Sequence, residues 1–300
     1  MTGARVAIVA PGSMGAAVGA HLRAHGASVS TCLAGRSASS AERARAAGLT
    51  VVADEVELVR TADLFLSIVP PGGAAETAQR IAAAMRRAGA APVYVECNAL
   101  APETARAIGR TVTGAGIPYV DAGIVGGPPR PGGTGPRFYT SGPDLSEILA
   151  LRGHGLDVRP VGSEIGQASA LKMCYAMWSK GSAALAVQLL VAAKMTGVSN
   201  ALLAQFRDSD PEFAPEMERR LPGMPPKAYR WVAEMEEMAK TLDACGLPGD
   251  TFKGAARLYE MVARSPLGRE ATERRPRGHT LEELVETLAL WCGAVQGSVR

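Results

Sequence analysis

The sequence predicts a doubly wound α/β domain with a mostly parallel sheet over residues 1–162, followed by an all-α domain over residues 163–300. Three observations predict it. Short apolar runs alternate with helical patterns through the first half, and parallel neighbours need a crossover helix between them. A glycine-rich turn joins the first apolar run directly to the first helical pattern. From residue 163 onward strand signals stop and only helical patterns remain.

Taken in order, residues 5–9 form the first apolar run and residues 13–25 the first helical pattern. Residues 28–33 read as a strand and 40–47 as a helix. Residues 64–69 read as a strand that stops at Pro70-Pro71-Gly72-Gly73, because prolines cannot extend a central ladder. Residues 74–87 are amphipathic, 92–96 a strand, 102–112 a helix with Pro102 near its first turn, and 117–121 a strand. Residues 126–135 are rich in Gly and Pro and read as a loop, with further strands at 137–141 and 156–160. Residues 163–195 read as one long helix, apolar on nearly every face. Such a helix must be buried all round, which implies a homodimer. Shorter helices follow at 200–207, 211–219, 227–244, 252–264 and 281–292. The basic run Arg269, Arg274, Arg275 and Arg277 reads as a solvated loop.

The chain has 300 residues, 47% of them hydrophobic and 20% charged, with a net charge of +3. That balance is ordinary for a globular protein and lacks the basic excess of a nucleic-acid binder. It suits a small-molecule substrate. The 5 cysteines form no CxxC pair, so no metal site is expected and the thiols read as reduced. The run 6–10 is too short for a signal peptide, and no uninterrupted apolar stretch reaches membrane-spanning length. A cytoplasmic protein without a membrane contact is the expectation.

The turn Ala10-Pro11-Gly12-Ser13-Met14-Gly15 sits between a strand and a helix. This context matches a Rossmann dinucleotide fingerprint whose first glycine is Ala10. Gly12 would admit the pyrophosphate, Gly15 would allow close helix–strand contact, and the amides at Ser13 and Met14 would face the phosphates. A structural tight turn is the alternative. Cofactor choice is read at the end of the second strand. An NAD site usually has an acid there, but this strand ends Ala34-Gly35-Arg36-Ser37. Arg36 and Ser37 could bind a 2′-phosphate, which points to NADPH (NADP+), or they could be solvated loop residues.

Four stretches together resemble the β-hydroxyacid dehydrogenase and 6-phosphogluconate dehydrogenase superfamily. They are Pro11-Gly12-Ser13-Met14-Gly15, Val69-Pro70-Pro71, Asp121-Ala122-Gly123-Ile124-Val125-Gly126-Gly127-Pro128, and Gly166-Gln167-Ala168-Ser169-Ala170-Leu171-Lys172. Residues 168–176 and 228–237 are similar to a branch carrying a C-terminal domain of unknown function. The resemblance implies an oxidoreductase that moves hydride between NADPH and a small carbonyl or hydroxyacid-type substrate. It implies that Val69, Pro70 and Pro71 flank the cofactor, that Val125, Gly126 and Gly127 face the substrate, and that Lys172 is catalytic. The chain departs from the pattern in places. Val125 replaces a serine, Tyr175 and Ala176 replace two asparagines, and Asn98-Ala99 replaces a Ser-Thr pair.

A carbonyl receiving hydride needs a proton donor on its oxygen. Lys172, set among Leu171, Met173 and Met177, would be partly desolvated and suited to that role, or it could snorkel to solvent. Tyr175, three residues on, would share its face and either donate to substrate or pack. Ser179 lies seven residues from Lys172 and is a weaker substrate contact. Asn98 ends a strand where open α/β sheets hold ligands, and could bind the nicotinamide amide or a substrate group, or cap its own loop. Two further functions stay open on this sequence. One is an imine reductase and the other is a non-catalytic NADPH-binding regulator.

Overall fold

The structure is a computed structural model that describes residues 3–130, 135–270 and 279–297, with side chains to residue 294. Arg274, Arg275 and Arg277, and the centre of the loop expected at 126–135, lie outside the described residues. The chain divides into two compact units, Met1–Cys174 and Tyr175–Arg300.

The first unit is an 8-stranded sheet in the order β3-β2-β1-β4-β5-β6-β7-β8. Its strands are β1 (Arg5–Ile8), β2 (Ser28–Cys32), β3 (Thr50–Val52), β4 (Leu64–Ser67), β5 (Val93–Glu96), β6 (Tyr119–Val125), β7 (Arg137–Ser141) and β8 (Asp157–Gly162). All pairings are parallel except β6 with β7, which run antiparallel from Asp121↔Ser141 to Val125↔Arg137. Helices α1 (Ser13–Ala24), α2 (Ala38–Ala46), α3 (Glu55–Arg60), α4 (Ala74–Ala88), α5 (Pro102–Thr113) and α6 (Ser146–Ala150) connect them. The order 3-2-1-4-5-6 is the doubly wound dinucleotide-binding arrangement, with its switch point between β1 and β4.

Strand alternation builds two cores. Val6, Ile8, Leu64, Leu66 and Val95 face one side with Val18 and Leu22 of α1. Ala7, Phe65 and Tyr94 face the other with Leu58, Ile81, Met85 and Ile108 of α3, α4 and α5. Both faces are covered, so the central strands carry near-continuous apolar runs. Edge strand β3 was absent from the expectation because it has only 3 residues, two of them exposed. Helix α3 follows it behind two side-chain hydrogen bonds at its start. The Asp54 side chain accepts from Glu57 N (2.8 Å), and Glu57 Oε2 accepts from Ala53 N (2.9 Å).

The long helix expected over 163–195 is instead three pieces. Helix α7 (Gln167–Ala176) leads into a π turn (Met177–Gly181) and then α8 (Ser182–Met195). The boundary between the units falls inside α7, because its first turn is bonded to β6 through Asp121. Among the described residues, Gln167–Met195 is the one run long and apolar enough to cross a membrane by length and composition. This differs from the expectation, since its many alanines add apolarity without forming an unbroken block. It is also not buried all round. Trp178 is 71% exposed and Leu185 63% exposed.

Within the second unit come α9 (Ser199–Ser209), α10 (Phe213–Arg220), α11 (Ala228–Ala244), α12 (Asp250–Arg264) and α13 (Leu281–Gly297). Side chains satisfy the carbonyls that the widened π turn releases. Tyr259 Oη donates to Lys180 O (2.6 Å), and Arg220 Nη2 donates to Ser179 O (2.5 Å) and Ser182 Oγ (2.8 Å). Lys180 pairs with Glu234 and lies 5.1 Å above the Trp231 ring.

Candidate cofactor and catalytic site

The glycine turn leaves β1 and enters α1 at the switch point. Gly12 is the N-cap, and its amide donates to Ala10 O (2.8 Å). No side chain caps this helix and no acid occupies its first turn, so the amide ends of Ser13, Met14 and Gly15 keep their positive field. A Cβ at Gly12 would meet nothing within 4 Å, which leaves open space over these amides. A Cβ at Gly15 would lie 2.4 Å from Ala10 O, so only glycine lets α1 start this close to β1. The cradle fits a dinucleotide pyrophosphate: an open approach, free amides and no competing anion.

The loop after β4 lies across the switch point from this turn. Val69 is its first residue to be fixed, through its amide, which donates to Asn98 Oδ1 (2.7 Å). Pro70 and Pro71 follow and start a short 3-10 turn. Asn98, just past β5, is 4% exposed. Its Nδ2 donates to Ser67 Oγ (3.2 Å) and to Glu96 Oε1. Its side chain thus ties down the loop after β4 and does not cap its own loop.

At the end of β2, Gly35 turns the chain at φ +69 and presents Arg36 and Ser37. Ser37 caps α2 by accepting from Ser40 N (3.3 Å). A second arginine, absent from the expectation, belongs to this corner. Arg80 of α4 pairs with Glu55, the first residue of α3. Burial, and then the positive charge of Arg36, hold the Arg80 pKa below its ordinary value. Arg36 and Arg80 thus lie close enough to repel, with Glu55 paired to Arg80, and they make this a cationic corner. Arg80 carried no sequence signal because it reads as an ordinary polar position of an amphipathic helix.

Lys172 is part-buried on α7, and its ammonium donates to the Ile124 carbonyl near the end of β6. Gly123 makes the fit possible, since a Cβ there would lie 2.8 Å from Lys172 Cβ and 3.0 Å from Ala168 O. Gly126, at φ +122, turns the chain out of β6, and Gly127 follows it into open space. Val125 is 5% exposed, so its side chain belongs to the core and only its backbone stands at this edge. The start of α7 is clamped by Asp121, which accepts from Gly166 N (2.9 Å), Ser169 N (3.0 Å), Ser169 Oγ (2.6 Å) and Ser141 Oγ (3.1 Å). Lys172 thus stands one turn beyond a helix start fixed to the sheet. Tyr175 shares α7 and is 53% exposed. Ser179 falls in the π turn, which breaks the seven-residue spacing that would align it with Lys172. Its carbonyl serves Arg220.

Comparison with known proteins agrees with this geometry. Residues 5–143 match the NAD-binding domain of 6-phosphogluconate dehydrogenase, and residues 193–262 match a domain of unknown function, DUF1932. An uncharacterised 28.5 kDa protein of Methanothermus fervidus is 26% identical over 182 residues, covering 61% of this chain and 68% of its own. A solved conserved protein of unknown function, described as structurally similar to 3-hydroxyacid dehydrogenases, is 30% identical. It covers 86% of this chain and 96% of its own, with a TM-score of 0.65. The 3-hydroxyisobutyrate dehydrogenase of Mycobacterium tuberculosis shares the fold at 19% identity, covering 95% of this chain and 99% of its own, with a TM-score of 0.68. The chain belongs to the 6-phosphogluconate dehydrogenase-like family of NAD-binding oxidoreductases, in the branch that carries the DUF1932 domain.

Proposed function

We propose that this protein is an NADPH-dependent oxidoreductase acting on a small carbonyl or hydroxyacid-type substrate, with Lys172 as its acid and base. The observation that carries the reading is the seat of Lys172. Its ammonium is held at the carboxyl end of β6, beside the Gly126-Gly127 turn and on the sheet edge that presents the glycine turn.

Bound NADPH supplies the hydride. The amides of α1 hold the phosphates, and Arg36 with Ser37 takes the 2′-phosphate in the cationic corner that Arg80 completes. In reduction, the Lys172 ammonium gives its proton to the substrate oxygen as the carbonyl carbon receives hydride, and solvent restores the lysine. In oxidation the neutral amine takes the hydroxyl proton. The Ile124 carbonyl holds the ammonium in place until substrate arrives. The amides of Gly126 and Gly127 orient the substrate in this reading. A homodimer belongs to the same reading, because Trp178 and Leu185 stand exposed on the apolar run.

The test follows NADPH consumption against panels of carbonyls and imines, with wild type and Lys172→Ala. Carbonyl turnover should fall by roughly 10²–10⁴-fold in the variant, with NADPH affinity kept. Imine turnover that survives the substitution would replace this reading with an imine reductase. Tight NADPH binding with no turnover of either panel would make the protein a regulator.

A further inference from the structure

The end of β5 carries a group that the proposed chemistry does not use. Glu96 is fully buried, although a carboxyl in the middle of a sheet is costly and an apolar residue would pack there without that cost. Its Oε1 accepts from Asn98 N (3.1 Å) and from Asn98 Nδ2. Asn98 in turn donates to Ser67 Oγ (3.2 Å) and accepts from Val69 N (2.7 Å). Cys97 N donates to Ser67 O (3.0 Å), so the chain from Ser67 to Val69 is tied to β5 at both ends. Asp121 and Tyr119 of β6, Tyr94 of its own strand, Cys97 just after it, and Ser67 of β4 surround the carboxyl.

We propose that Glu96 is a positioning residue for the cofactor: it fixes the Asn98 amide, and through Asn98 it fixes the Val69-Pro70-Pro71 loop that borders the dinucleotide crevice. The inference rests on the cofactor reading above. The relay explains why a carboxyl stands where an apolar side chain would pack. Asn98 needs acceptors behind it if its Oδ1 is to face Val69 N, and Glu96 Oε1 supplies one beside Ser67 Oγ. An amide in place of the carboxyl keeps an acceptor oxygen, whereas a methyl removes it.

The experiment measures NADPH binding by calorimetry for wild type, Glu96→Ala, Glu96→Gln and Asn98→Leu, with circular dichroism and melting curves for each ligand-free protein. Glu96→Ala should bind NADPH at least about tenfold more weakly, and Glu96→Gln should stay within about twofold of wild type. Asn98→Leu, which cuts the relay with Glu96 in place, should match Glu96→Ala and decides the matter if the alanine variant does not fold. Folded Ala and Leu variants that bind NADPH like wild type would overturn the relay alone. A Gln variant as weak as Ala would overturn it too, since the acceptor would then not be what matters. Wild type that binds neither NADPH nor NADH would remove the cofactor reading, and the relay with it.

Discussion

Glu96 and Asp121 stand directly opposite one another on β5 and β6, two fully buried carboxyls in adjacent strands. Their surroundings differ. Asp121 accepts four hydrogen bonds, whereas Glu96 Oε2 has no partner among the described residues. Burial, reinforced by the Asp121 charge and opposed by the Asn98 and Ser67 hydrogen bonds, pushes the Glu96 pKa up to about 8.

That shift sets a pH dependence. The unfolded chain releases this proton near 4.5, while the folded chain keeps it to about 8. The contribution is therefore complete below the unfolded value and is lost as pH rises through the folded one. Stability should fall with pH across this window by up to about 1.4 kcal/mol per unit from this group. Glu96→Gln should flatten the decline. Urea midpoints at roughly pH 5 and pH 8 check it, and an equal slope in both proteins would refute it.

Asp121 should be a stability residue whose loss also reaches Lys172. Asp121→Ala leaves the amides of Gly166 and Ser169 buried without an acceptor, at a cost of about 2–3 kcal/mol. The start of α7 should then loosen, lowering kcat while NADPH affinity holds. Denaturant unfolding and turnover measured side by side test both parts.

Gly123→Ala should displace Lys172 without touching its chemistry. The added methyl would press on the Lys172 side chain and the Ala168 carbonyl, with an expected loss of about 1–3 kcal/mol. Turnover should drop as well, and NADPH binding should not. A fully active Gly123→Ala protein would show that the seat of the ammonium tolerates a shift.

Arg36→Ala should weaken NADPH by about tenfold or more and leave NADH nearly unchanged, because only the former carries the phosphate. Arg80→Ala should act in the same direction with a smaller effect. Equal losses for both dinucleotides would move the cationic corner out of the specificity argument.

Much of the first unit could be read from the sequence because its signals are local. The Gly12 turn follows an apolar run, the Pro70-Pro71 stop closes another, and burial on both faces keeps the central strands apolar. The short edge strand at Thr50–Val52 had no such signal, since exposure removes the apolar pattern. Of the candidate site, the backbone features at Gly12, Gly15 and the helix of Lys172 were legible, because local sequence decides them. The site was not legible where distant side chains meet. Nothing local in Asp121 or Arg80 reveals its partner, because Ser169 and Glu55 lie on other elements, and nothing local in Asn98 reveals Ser67 and Val69. The π turn was hidden for the same reason: the side chains that hold it open, Tyr259 and Arg220, come from far along the chain.

A π turn is a single extra residue absorbed by a helix, and it uncouples the angular settings of what comes before and after it. The stretch bearing Lys172 is registered by Asp121, while the stretch from Ser182 onward is registered by the partners of the bulge. Loss of one residue between Met177 and Gly181 would close the bulge and take away the carbonyls that Tyr259 and Arg220 now serve. Each stretch thus takes its register from hydrogen bonds of its own unit, Asp121 in the first and Tyr259 with Arg220 in the second.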